Sequence, residues 1–117
     1  VARKSYLHGD DISRAIMLVA QKGEIGETYN CGSQYSVSIR GLVDEVAGCF
    51  DKRLEAIAEI AQERTGQDSQ YLLDSAKIMA IGWKQEVPMG SGIYRMIDWI
   101  EKYPELLTMD QGYQHRP

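Results

Sequence analysis

Apolar residues recur at helical spacing twice in the first half of the chain. Ile12, Ala15, Ile16, Val19 and Ala20 form one stripe, and Ile39, Leu42, Val43, Val46, Ala47 and Phe50 form a second. Gly9-Asp10-Asp11 offers a cap for the first helix, and Lys22-Gly23 ends it. Ser36 or Ser38 starts the second. A last helix follows Gly90-Ser91-Gly92, read as a turn, with Ile93, Met96, Ile97 and Ile100 on its buried face and Pro104 limiting it. Between these helices only short extended pieces fit: Ser5 to His8 and Thr28 to Cys31 as strands, with Tyr71-Leu72-Leu73 strand-like. The pattern predicts a mixed α/β, helix-rich domain. Its strands are too short and scattered for a free-standing parallel sheet, so elements like these dock on something larger or self-associate.

The remaining segments are read from their turn residues. Glu24 to Glu27 is a glycine-bearing turn. Asp51 to Glu63 supports either a helix or an alternating strand, and its alanine and glutamate content favours helix in the first half. Arg64 opens a polar loop containing Gly66; Asp74 or Ser75 then caps a short helix that Gly82 stops, with Trp83 as an anchor beyond it. Val87 is extended because it precedes Pro88. The tail from about Thr108 is polar and expected at the surface.

The chain has 117 residues, enough for one domain, and carries a formal net charge of −4, which argues against a general nucleic-acid binder. No apolar run reaches membrane-spanning length, and the first residues contain no hydrophobic signal region. Cys31 and Cys49 lack metal-site spacing and are read as buried free thiols in a cytoplasmic protein. No metal site is predicted. His8 and His115 lie at opposite ends, where a surface histidine is the commoner case. No glycine-rich phosphate loop and no local Ser/His/Asp or Tyr/Lys signature is present. Three polar groups stand out: Arg3 before the first extended piece, Asn30 inside the second, where asparagine is disfavoured, and Arg64. Singly, two arginines and an asparagine are more often solvated charges and a satisfied structural amide. Asp10-Asp11 is accounted for as a helix cap, and Lys77 as helix surface.

In series these residues look familiar. Arg3, Tyr6-Leu7-His8-Gly9-Asp10-Asp11-Ile12, then Gly26-Glu27-Thr28-Tyr29-Asn30-Cys31-Gly32, then Arg64-Thr65-Gly66-Gln67-Asp68, Tyr71, Leu73-Asp74, Lys77-Ile78 and Gly82-Trp83, then Gly92-Ile93 and Trp99 keep a recognisable order. The series resembles the C-terminal part of the extended short-chain dehydrogenase/reductase family, in particular the nucleotide-sugar 4,6-dehydratases and related epimerases. The resemblance implies that residues 1–23 are the last strand and helix of a Rossmann-type domain and 24–117 a substrate-binding C-terminal lobe, the whole treated as one domain. It implies that Arg3, Asn30 and Arg64 grip the diphosphate of a nucleoside diphosphate sugar, with Gln67 near the nucleotide. Two guanidinium forks and an amide suit a pyrophosphate.

The resemblance also implies what this stretch does not supply. A full-length relative holds NAD(P) on an N-terminal glycine-rich loop and carries a catalytic tyrosine and lysine there; this chain starts past those parts. No catalytic or cofactor-binding residue is therefore assigned, and no turnover is expected of the chain alone. Thr65 stands where the family loop commonly has proline, and Cys31-Gly32-Ser33 where it commonly has a glycine pair. An alternative is a family remnant working as a non-enzymatic oligomer or partner-binding protein, with the apolar face of Ile12 to Val19 driving self-association.

Overall fold

The computed structural model describes residues 2–59, 66 and 69–108. Helix α1 spans Gly9–Lys22, α2 spans Ile39–Gly48, α3 spans Ala76–Ala80 and α4 spans Met89–Lys102. Single turns of 3-10 helix lie at Leu54–Ala56 and Pro104–Leu107. Strands β1 (Arg3–Lys4) and β2 (Val37–Ser38) pair antiparallel, Arg3 opposite Ser38 and Lys4 opposite Val37. The architecture is helix-rich α/β, as the periodicity predicts, with a minimal sheet.

The expected strands are corrected. Ser5 to His8 is not a strand: Ser5 Oγ donates to the Ser33 carbonyl at 2.9 Å, and His8 is occupied as the N-cap of α1. Thr28 to Cys31 runs without a ladder partner and is held by side chains instead, while Tyr71 to Leu73 is irregular. Among the described residues, Arg3 and Gln70 form a further, isolated parallel bridge. The ambiguous segment after Asp51 contributes the turn at Leu54–Ala56 rather than a helix over its first half. Gly90, Ser91 and Gly92 lie inside α4, which begins one residue after Pro88. Gly92 serves close approach there, whereas Gly90 faces only the flexible end of Glu45. A Cβ on Gly92 would come within 3.2 Å of His8 Cδ2, and one on Gly90 within 2.9 Å of Glu45 Oε1. Helix ends otherwise follow the sequence: Ser38 Oγ caps α2 by accepting from Gly41 N at 3.0 Å, and Gly82 leaves α3 at φ +109°.

Asp11 has a larger part than a helix cap. Capping falls to His8, whose Nδ1 accepts from Asp10 N at 3.1 Å, so that histidine is half-buried and structural. The Asp11 side chain is fully buried in the first turn of α1. Its carboxylate accepts from Glu86 N (2.8 Å) and Val87 N (3.1 Å) and pairs with Arg14, while its own carbonyl accepts from Trp83 Nε1 at 3.0 Å. One residue thus fastens α1 to the segment that joins α3 and α4. Asp10 adds an exposed pair with Arg95 of α4, which draws the Asp10 carboxyl below its ordinary range.

Beneath Asp11 lies a small core of Ala15, Ile78 and Trp83, with Leu7, Leu18, Val19, Tyr29, Cys31 and Ile81 packed against it. The apolar stripes are only partly covered. Ile12 and Ile16 of α1 and Phe50 after α2 are exposed, and Met96 of α4 is exposed rather than buried. Replacing Asp11 with alanine leaves the part-buried Glu86 N–H and the buried Val87 N–H without this acceptor, and leaves Arg14 only its longer pair with Glu86. We expect Asp11→Ala to lose about 2–4 kcal/mol of unfolding free energy in urea melts. Asp10→Ala, at an exposed pair, should lose less than about 1 kcal/mol. Equal losses would contradict this account.

Candidate diphosphate-binding site

Arg3 sits on β1 and is exposed. Its guanidinium is aimed by Ser36: Nε donates to Ser36 Oγ at 3.1 Å and Nη2 to the Ser36 carbonyl at 2.6 Å. Its backbone N–H donates to the Ser69 carbonyl at 2.9 Å, and the bridge to Gln70 continues that contact. The structure therefore stitches the C-terminal end of the polar loop to Arg3. Arg64 and Gln67, the expected ligands of that loop, lie outside the described residues.

Asn30 is exposed on an extended segment that is tied to α3 on both sides of it. On one side Glu27 pairs with Lys77, whose Nζ also lies 4.8 Å from the centre of the Tyr29 ring. The Tyr29 hydroxyl accepts from Glu24 N at 3.1 Å. On the other side the buried Ser75 hydroxyl accepts from Gly32 N (2.9 Å) and donates to the Gly32 carbonyl (3.0 Å). Side-chain bonds thus replace the missing ladder. Gly32 packs closely there: a Cβ would meet Leu73 Cβ at 3.0 Å, tighter than an ordinary contact. Asp74 Oδ1 takes the capping role by accepting from Ala76 N at 2.9 Å, and Ser75 is spent on Gly32. Lys77, read from sequence as helix surface, is a tether.

Cys31 and Cys49 are free and half-buried. Burial, with the Asp11 charge, pushes the Cys31 thiol above its ordinary value, the opposite of what a nucleophile needs. Among the described residues no group of three or more His, Cys, Asp or Glu side chains could hold a metal ion, and no helix is long and apolar enough to cross a membrane. Beside the Arg3 anchor is a cavity of about 490 Å³, walled by Ser36, Ser33, Tyr35 and Tyr6 on one side and by the Gln85-to-Met89 segment on the other.

No protein-family model matches the chain. It is 30% identical over 105 residues to mouse dTDP-D-glucose 4,6-dehydratase, covering 86% of this chain and 30% of the relative. It is 33% identical over 104 residues to dTDP-glucose 4,6-dehydratase 1 of Escherichia coli K12, covering 82% of this chain and 28% of that protein. Among solved structures, dTDP-glucose 4,6-dehydratase from Bacillus anthracis in complex with NAD superposes with a TM-score of 0.79 at 24% identity, over 90% of this chain and 33% of that one. Over most of its length the chain is homologous to nucleotide-sugar 4,6-dehydratases. It spans under a third of the length of these curated 4,6-dehydratase relatives.

Helix α1 offers the pyrophosphate of a dinucleotide no free helix start: its first turn carries Asp10 and Asp11, and its N-terminus is capped by His8. No hydride step is assigned to these residues.

The Glu27–Lys77 tether has a titration signature. The hydrogen bond from Lys77, then its charge, lowers the Glu27 pKa, and the bond to Glu27 raises that of Lys77. The depressed carboxylate contributes stability above its ordinary pKa and loses it as pH falls through the lowered one. The raised ammonium contributes below its ordinary pKa and loses it as pH rises through the raised one. The tether therefore holds across neutral pH. NMR titration should place the Glu27 carboxyl midpoint below the ordinary glutamate value in the wild type and move it upward in Lys77→Met. An unmoved midpoint would show that the pair does not form in solution.

Proposed function

We propose that the chain is the nucleoside-diphosphate-sugar-binding lobe of an NAD(P)-dependent epimerase or dehydratase. In this reading residues 1–23 close a Rossmann-type domain and 24–117 form the substrate lobe. The observation that carries the reading is the position of Arg3: its guanidinium is anchored by Ser36, and its backbone is joined to the loop on which Arg64 and Gln67 lie in sequence. Arg3 and Arg64 would donate charge-assisted hydrogen bonds to the two phosphates, Asn30 would donate its amide, and Gln67 would meet the nucleotide. A rigid grip on the diphosphate positions the sugar for chemistry supplied elsewhere in the whole protein. Similarity to dTDP-glucose 4,6-dehydratases supports this class of ligand. The free cysteines suit a cytoplasmic setting.

A second reading is a non-enzymatic self-associating protein. It is favoured by the exposure of Ile12 (36%), Ile16 (65%) and Tyr71 (57%), apolar side chains that a second copy could cover. Calorimetric titration with dTDP-, UDP-, GDP- and CDP-sugars, run beside light scattering, separates the two. The binding reading expects heat with at least one of the four and a loss of about tenfold or more in Arg3→Ala, the cost of a charge-assisted contact. No heat with any sugar nucleotide, together with a stable oligomer, would replace it with the second reading.

A further inference from the structure

His8 is fastened to α1 by a bond that a proton breaks. As the N-cap residue it accepts from Asp10 N at 3.1 Å through ring Nδ1, which places the hydrogen of the neutral imidazole on Nε2. Histidine is the side chain that ordinarily changes charge between about pH 5 and 8. A proton on Nδ1 sets two N–H donors against each other across that 3.1 Å contact.

The surroundings of the ring decide where the new N–H goes. On one flank α4 packs closely, since a Cβ on Gly92 would lie 3.2 Å from His8 Cδ2. On the other stands the Asp10 carboxylate, with Oδ2 3.8 Å from Nδ1. That same oxygen is held by Arg95 of α4. The remaining charged groups of this corner are engaged elsewhere. Asp11 is spent on Arg14 and on the N–H groups of residues 86 and 87, Glu86 pairs with Arg14 at 3.5 Å, and Glu45 of α2 faces Gly90. The cavity of about 250 Å³ that His8 borders holds two further polar side chains, Tyr6 and Gln85. Its other walls are apolar, with Leu42 and Val46 from α2 and Ile93 and Met96 from α4. It gives α4 room to shift. The Arg95 hydrogen bond also keeps the Asp10 carboxyl below its ordinary range, so Asp10 remains an anion while a histidine titrates.

We propose that His8 is a proton-operated latch between α1 and α4. Neutral, it caps α1 and leaves the Asp10 carboxylate to Arg95. Protonated by solvent at Nδ1, it gives up the cap, donates to Asp10 and releases Arg95, which loosens the start of α4. Val87, Pro88 and Met89, where the chain enters α4, line both this cavity and the one beside Arg3, so the latch bears on a wall of the candidate site.

The test is NMR of the full chain, wild type and His8→Asn, as pH falls from about 8 to 5. Asparagine keeps a capping acceptor and takes up no proton. Its spectrum also assigns the His8 ring apart from that of His115. The readout is rotation of the Arg95 guanidinium about its Nε–Cζ bond, which a bound carboxylate slows. In wild type that rotation should be slow at the upper end of the range and speed up about two- to fivefold, the scale of an exposed ion pair, along the titration curve of the His8 ring. The Asp10 amide should shift along the same curve. In His8→Asn the rotation should stay slow throughout. Rotation that stays slow while the wild-type ring titrates, that speeds up equally in His8→Asn, or that is fast at every pH overturns the latch. So does a His8 ring that takes up no proton in this range.

Discussion

A single buried carboxylate joins the parts of this molecule. Asp11 lies in the first turn of α1, yet its acceptors are spent on the backbone of residues 86 and 87, and its carbonyl receives the indole of Trp83. Those bonds fix where α3 ends, where the chain turns toward α4, and how both meet α1. The apolar cluster of Ala15, Ile78 and Trp83 beneath it is too small to set that geometry alone. The same loop forms one wall of the cavity beside Arg3, so the shape of the candidate site depends on a residue that does not line it.

Around that fixed frame the site is built from irregular backbone held by side chains. The segment bearing Asn30 has Ser75 on one side and the Lys77 tether on the other. The turn bearing Tyr35 has Ser5 on one side and Arg3 on the other. Both leave Asn30 and Tyr35 exposed while the chain that carries them is bound. This is a sound way to position a polar ligand grip without a sheet, because each loop has few internal freedoms left to lose on binding.

Much of this was legible in the sequence, and the limits have physical causes. The helices at Gly9–Lys22 and Ile39–Gly48 follow from apolar periodicity, and the stop at Gly82 from glycine's left-handed conformation, whereas Gly23 ends α1 in an ordinary extended conformation. The strands at Ser5–His8 and Thr28–Cys31 failed because alternation reports an extended backbone and says nothing about a hydrogen-bonding neighbour. The glycines at 90 and 92 read as a turn because the packing of Gly92 against His8 is tertiary. Asp11 was hidden for a similar cause: an aspartate before a helical stripe has a sufficient local explanation as a cap. Arg3 and Asn30 stood out as polar groups, but only their order within a family pattern gave them a role at a diphosphate. That Ser36 aims Arg3 had no sequence signal at all, since the partners are 33 positions apart.

The account stands on Arg3 presenting its guanidinium to a diphosphate from the edge of this frame. The most direct measurement follows the Arg3 Nε–Hε resonance and the backbone amides of residues 30 and 33–36 by two-dimensional NMR as dTDP is added. The account predicts saturable shifts that share one dissociation constant across these positions, with little change in the α4 amides of Asp98 to Lys102. Shifts absent from Arg3, or concentrated on α4, would contradict it.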